Sequence, residues 1–289
     1  MTITAICQGR HFLMPLSIIT SPLPADLNGE RFTLDTTIDH NSIITNARNS
    51  IAWRYALREL NTFVVTDVAY DRHNTDGTLD LYDPATGRGH MTEAYLADRA
   101  AMLTWKLRFD TPGASDDNDG PRTGTKPYNH DWDTSEVEGN WDFVDLGSKL
   151  AGGDPLTLAI DGTGVSLHDH QIVFGSKGAD TLDGAGDTDR LYGAGGADTL
   201  NGKGGNDHLE GGAGADQLYG GTGQDTYIAG QGDTIKDQDG KGEVLLGGQA
   251  LTGGAKDSKG VYVGGYALSC SHNEISAATV CVVTLRMSY

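Results

Sequence analysis

Apolar residues along this chain follow two periods, and the change between them divides it. From Asn46 to about Val64 they recur every three or four residues: Ile51, Tyr55, Ala56, Leu60, then Phe63 or Val64. That spacing predicts one face of a helix, with Arg48, Arg54, Arg58 and Glu59 left for the wet face. A second helix is predicted from about Met91 to Arg108, with Leu96, Ala100, Leu103 and Leu107 as its stripe and Thr92 at its cap. Leu156 to Ile160 and Gln171 to Phe174 read as short strands that lead into a repetitive region, Ile172 and Phe174 facing inward. From Leu182 the rhythm changes to a large apolar residue at every ninth position.

Cut into nines, residues 175–228 fall into register six times: GSKGADTLD, GAGDTDRLY, GAGGADTLN, GKGGNDHLE, GGAGADQLY, GGTGQDTYI. Position one is Gly175, Gly184, Gly193, Gly202, Gly211 and Gly220. Position four is Gly178, Gly196, Gly205, Gly214 and Gly223, with Asp187 in the second repeat. Position six is Asp180, Asp189, Asp198, Asp207, Asp216 and Asp225. Position eight is Leu182, Leu191, Leu200, Leu209 and Leu218, then Tyr227. The end of a nonamer such as Thr199-Leu200-Asn201 alternates polar, apolar, polar, which is a short strand with one buried side chain, and the glycines before it make a turn. One unit cannot bury its leucine alone, so units must stack, two nonamers to a circuit, with turns two repeats apart lying above one another.

Such turns aim backbone carbonyls at a common point, and the Asp adds a carboxylate. An all-oxygen site of this kind suits a hard cation such as Ca²⁺. Stacking pairs Asp180 with Asp198, Asp189 with Asp207, Asp198 with Asp216 and Asp207 with Asp225. Asp198 and Asp207 then have a stacked turn on both sides, and their two oxygens are expected to serve one cation above and one below.

The six nonamers resemble the GGxGxDxUx repeats of the haemolysin-type (RTX) calcium-binding proteins, over roughly 175–247 when the degenerate repeat from Ala229 to Asp233 and its continuation are counted. The resemblance implies a right-handed parallel β-roll, Ca²⁺ held between stacked turns by the glycines and aspartates named above, and export by a type I system to the outside of the cell. Haemolysins, bacteriocins and toxin-associated proteins are the implied company, with a target-cell surface as a further partner. Position two is Gly only in the last two repeats, and Asp187 puts the geometry of its turn in question.

Charge agrees with a cation partner. Asp and Glu number 40 against 21 Lys and Arg, a net charge of −19. Such a polyanion does not seek nucleic acid, and divalent cations relieve its self-repulsion. No apolar run is long enough for a transmembrane helix. The three cysteines, Cys7, Cys270 and Cys281, do not make a disulfide framework.

Motifs for catalysis are missing. There is no Gly-x-Ser-x-Gly and no His-Glu-x-x-His; Gly164-Val165-Ser166-Leu167-His168 fails at its last residue. His168-Asp169-His170 offers two imidazoles, which is short of a zinc site. The stretch Asp71–Asp83 places Gly77 as an EF-hand loop would, but Arg72 stands where the first ligand belongs, and an acidic turn is expected. The expected protein is therefore α+β and not an enzyme: an irregular leader (1–40), a helical and mixed region with an acidic linker at about 111–131 (41–166), the calcium-binding roll (167–247) and an irregular tail (248–289). The change of texture at both ends also suggests a fragment or shifted frame of a larger exoprotein. The alternative reading is the C-terminal part of a lipase-like RTX enzyme whose catalytic domain is missing.

Overall fold

The computed structural model of the protein describes residues 40–66, 68–83, 85, 88–110, 141–149, 153–159, 170–230, 232–239 and 241–246. It also describes the backbone of short strands at 2–7, 10–15, 33–35, 128–129, 249–250, 255–256, 262–263 and 281–284. Most of the acidic linker, His168, Asp169 and most of the tail lie outside the described residues. The chain divides into two compact units, 1–82 with 89–122, and 83–88 with 123–289.

In the first unit, strands β1 (Thr2–Cys7), β2 (Arg10–Pro15), β3 (Thr33–Asp35) and β4 (Val64–Thr66) form a four-stranded sheet in the order β2-β1-β3-β4. Three of these strands fall in the stretch read from sequence as irregular. The predicted first helix is two helices, α1 (His40–Asn49) and α2 (Ile51–Arg58), interrupted at the extended Ser50. Trp53, Tyr55, Ala56, Leu57 and Leu60 are buried, as are Leu96, Ala100 and Leu103 of α3 (Glu93–Asp110). Thr92 caps α3, its Oγ1 accepting from the Tyr95 amide at 3.0 Å. Arg54 is not on a wet face: its guanidinium donates to the carbonyls of Leu79 (2.6 Å) and Ala47 (2.8 Å). Arg99, buried in α3, reaches the carbonyls of Leu57 and Arg58 at the end of α2, where regular helical hydrogen bonding runs out. The acidic turn at 71–83 satisfies itself, Asn74 donating to Asp80 at 2.7 Å and Asp76 accepting from Thr78.

The second unit is a parallel β-roll. Its first sheet is built from β5 (Tyr128–Asn129), β6 (Asp142–Lys149), β7 (Pro155–Ala159), β8 (Gln171–Phe174), β10 (Arg190–Tyr192), β12 (His208–Glu210), β14 (Thr226–Ala229), β16 (Glu243–Leu246) and β17 (Gln249–Ala250). The second sheet holds β9 (Thr181–Asp183), β11 (Thr199–Gly204), β13 (Gln217–Thr222), β15 (Thr234–Asp237) and β20 (Cys281–Thr284). A separate antiparallel pair joins β18 (Ala255–Lys256) to β19 (Tyr262–Val263). Leu191 lies beside Val173 and Leu209, and Leu200 beside Leu182 and Leu218, so one circuit is two nonamers. The leucines of position eight, with Val173, Tyr227 and Ile235, fill the space between the sheets. Each fully buried leucine contributes about 1.5–3 kcal/mol, which a single unit could not secure. Val173, not Ile172 or Phe174, is the first rung: counting back nine from Leu182 gives 173, and alternation sends its neighbours to the other face. There Phe174 stacks on Tyr192 at 5.2 Å. At the C-terminal end both sheets finish in antiparallel strands, β17 on β16 and β20 on β15, which cover edges that parallel stacking would leave open.

Candidate metal centre

The turns line two edges of the roll. One edge carries turns 175–180, 193–198 and 211–216; the other carries 184–189, 202–207 and 220–225. Glycine at position four is required by contact. A Cβ on Gly214 or Gly223 would strike the carbonyl of Gly196 or Gly205 in the turn below, and both have positive φ (154° and 133°). The equivalent carbonyls of Gly178 and Asp187 lie against Gly196 and Gly205, so Asp187 still presents its backbone oxygen as a glycine would.

Every position-six aspartate from Asp189 to Asp225 is buried, at 0–1 % exposure. One oxygen of each is spoken for. Oδ1 of Asp189, Asp198, Asp207 and Asp225 accepts a backbone amide one circuit below: Gln171 (2.7 Å), Asp180 (2.8 Å), Asp189 (2.8 Å) and Asp207 (3.0 Å). Asp216 accepts likewise from Asp198 at 2.9 Å, and Asp233 from Asp216 at 3.0 Å. This ladder was not foreseen from sequence. It replaces the expectation of two metal-facing oxygens per carboxylate, because Oδ1 is consumed by an amide that the turn leaves without a ladder partner.

The second oxygen divides the series. Near the ends, protein donors satisfy it. Asp180 Oδ2 accepts from the Ser176 amide and hydroxyl, both at 2.6 Å; Asp189 Oδ2 accepts from the Ala185 amide at 2.5 Å; Asp233 Oδ2 accepts from Gly230 at 2.7 Å. Asp225 Oδ2 is met by the hydroxyl of Tyr227 at 3.5 Å, which is what the tyrosine adds where other repeats have leucine. In the middle, Asp198 Oδ2 and Asp207 Oδ2 are buried with no donor. Burial and the facing aspartates push both carboxyls up to about 7.

These two oxygens do not stand alone. A Cβ placed on Gly193 would lie 2.7 Å from Asp198 Oδ2 and against the carbonyl oxygen of Gly211. A Cβ placed on Gly202 would lie 2.7 Å from the carbonyl oxygen of Gly220 and against Asp207 Oδ2. Carboxylate and carbonyl thus converge, on both edges, at a point that only glycine leaves open; at Gly184 the same two kinds of oxygen meet, Asp189 Oδ2 and the Gly202 carbonyl, but there Oδ2 already has a donor. Among the described residues no group of three or more His, Cys, Asp or Glu side chains comes together. The donor set is one carboxylate with backbone carbonyls, which fits calcium and does not fit zinc.

The family described as RTX calcium-binding nonapeptide repeat (4 copies) matches at residues 170–200 and 201–235. Residues 170–235 are RTX calcium-binding repeats. No curated protein and no solved structure matches the chain. The RTX repeats bind Ca²⁺, and the unsatisfied Asp198 and Asp207 fit that ion in this roll. Gly175, Gly178, Gly184 and Asp180 line the lower turns, and Gly220, Gly223 and Asp225 the upper ones, where the carboxylates already have donors. Asp216 sits in line with Asp198, 1 % exposed. Among the described residues no helix is long and apolar enough to cross a membrane.

Proposed function

We propose that this is a secreted, non-catalytic RTX protein whose roll is a calcium-operated folding switch. The observation that carries the reading is the pair of buried carboxylate oxygens, Asp198 Oδ2 and Asp207 Oδ2, left without donors in the middle of the stack. A buried charged acceptor with no partner costs about 1–3 kcal/mol or more, and two of them load the metal-free roll at its centre. Calcium at those points removes the cost, so that its binding free energy becomes folding free energy. In a compartment with little free calcium the acidic repeat stays unfolded and can be threaded through a type I export channel. Outside the cell it meets calcium and closes. The net charge of −19 supports the same direction, since self-repulsion opposes the roll until cations arrive. The company of such repeats supports a haemolysin-, bacteriocin- or toxin-associated role at a target-cell surface. The test is circular dichroism of the full chain during a calcium titration from chelator. Gain of β signal with millimolar Ca²⁺, poorly reproduced by Mg²⁺ with its stricter octahedral demand, is the expected result. Identical spectra with and without calcium would sink the proposal.

A further inference from the structure

We propose that Lys203 is a built-in cation that takes the place of calcium in one gap of the roll. The inference rests on the calcium reading above and concerns the gap between turns 184–189 and 202–207.

Lys203 stands at position two of its repeat, where the others carry Ser176, Ala185, Ala194, Gly212 and Gly221. Its backbone lies in the left-handed region at φ 78°, which an L-residue occupies only at a cost. From the upper turn its side chain crosses to the lower one, and the ammonium donates to the carbonyl oxygen of Gly184 at 2.7 Å. Gly184 is the position-one residue of the lower turn; the carbonyl that stands to Asp189 as those of Gly211 and Gly220 stand to Asp198 and Asp207 is that of Gly202.

Asp189 and Asp207 are equivalent residues on one edge, one circuit apart, and both are buried. Both use Oδ1 in the same way, to accept an amide from the circuit below. They part at Oδ2, which accepts from Ala185 in Asp189 and has no donor in Asp207. They also part in charge. Burial disfavours the ionised form of both; the Lys203 ammonium works against that at Asp189, whereas facing aspartates add to it at Asp207. The lower gap therefore already carries a cation that bridges its two turns, bonded to a turn carbonyl and within electrostatic reach of the carboxylate without an ion pair to it. A divalent ion entering it would meet a carboxylate already hydrogen-bonded and a like charge that cannot leave the chain. The gap above, at Asp207, has the oxygens and lacks the cation.

The test counts bound calcium by equilibrium dialysis and calorimetry on the full chain at saturating calcium. Lys203→Ala is the primary variant, because Ala194 shows that alanine is held at this turn position with φ 70°. It is expected to bind one more calcium ion than the natural protein. Lys203→Arg retains the charge and is expected to keep the natural count. Ala194→Gly relieves the same backbone strain on the other edge without touching a cation, and is also expected to keep it. If Lys203→Ala does not fold, Lys203→Gly restores the permissive residue and is counted in its place. An unchanged count in both uncharged variants overturns the inference while leaving calcium binding by the rest of the roll intact. An extra ion in Lys203→Arg as well overturns it, because charge would not be the cause. Absence of any calcium binding in the natural protein overturns both this inference and the reading on which it rests.

Discussion

Replacing Asp198 by Asn separates the two roles that the structure gives this carboxylate. The amide oxygen keeps the Oδ1 bond to the Asp180 amide, 2.8 Å long in the natural protein. The change falls on Oδ2, which becomes an uncharged donor beside the Gly211 carbonyl. The two effects are opposite in sign. Without calcium the variant roll is more stable, because a buried charge that lacks a donor has gone. The carboxyl is pushed from 3.8 up to about 7. A rise of that size corresponds to about 4 kcal/mol in full, and with exposed Ala197 beside it solvent screening leaves about half, ~2 kcal/mol at pH 8. With calcium the variant is worse off, having lost the carboxylate at that point; the calcium midpoint should rise on the order of tenfold or more. Asp180→Asn serves as the comparison, since its Oδ2 is already held by Ser176 and its midpoint should move less than about threefold. The assay is a calcium titration by circular dichroism, paired with urea unfolding in chelator at a pH where any residual roll is measurable. A substitution that only damaged packing would lower stability in both conditions. Equal midpoint shifts at Asp198 and Asp180, or a weaker metal-free roll in Asp198→Asn, would refute the reasoning.

Acid should partly stand in for calcium: Asp198, Asp207 and Asp233 have folded values near 7 against 3.8 unfolded, so their contribution to the metal-free roll is full below about pH 4 and lost as pH rises through about 7. Chelated protein should therefore carry more β signal at pH 5.5 than at pH 8.5. Gly202→Ala, at a residue without positive φ, puts a methyl between Asp207 Oδ2 and the Gly220 carbonyl and should raise the calcium midpoint at least tenfold; an unchanged midpoint would place the ion elsewhere. In the first unit, Arg99→Met strips the buried guanidinium from the end of α2 and should cost about 2–4 kcal/mol in thermal unfolding. Calcium-loaded protein should hydrolyse neither short-chain esters nor casein above blank, and turnover abolished by Ser166→Ala would end the non-catalytic reading.

The roll was legible because its information is one-dimensional. Phase alone placed Leu182 to Leu218 inside and the aspartates at the edges, and two nonamers per circuit came from the need to stack strands. Extending the same count by one step would have found Val173; hydrophobicity misled because Ile172, Val173 and Phe174 are all apolar and all buried. What the count could not reveal was the division of labour within a carboxylate. Whether Oδ2 has a donor depends on Ser176 and Tyr227, each the one residue of its kind at its position in the six repeats, and on how the backbone amide of Ala185 is turned. The three- and four-residue spacing located the helices but missed their break at Ser50. It also left Arg54 in water, since nothing local reveals that the Leu79 carbonyl needs a donor.

The aspartate ladder has a direction. Each rung lends its carboxylate to the amide of the rung on its N-terminal side, and never the reverse. Removing a rung from the N-terminal end frees a carboxylate oxygen, which water hydrates readily. Removing one from the C-terminal end strips the acceptor from a backbone amide inside a turn. The two ends of the roll are thus unequal to erosion, and the C-terminal end is where the series must be closed. The chain closes it by running out of carboxylates: Gly242 lies level with Asp225 at the circuit's sixth position and has none to lend, while β17 and β20 turn antiparallel over the last strands. A proteolytic nick between 229 and 246 should therefore unzip the stack downward, whereas one between 170 and 180 should leave the remaining rungs standing.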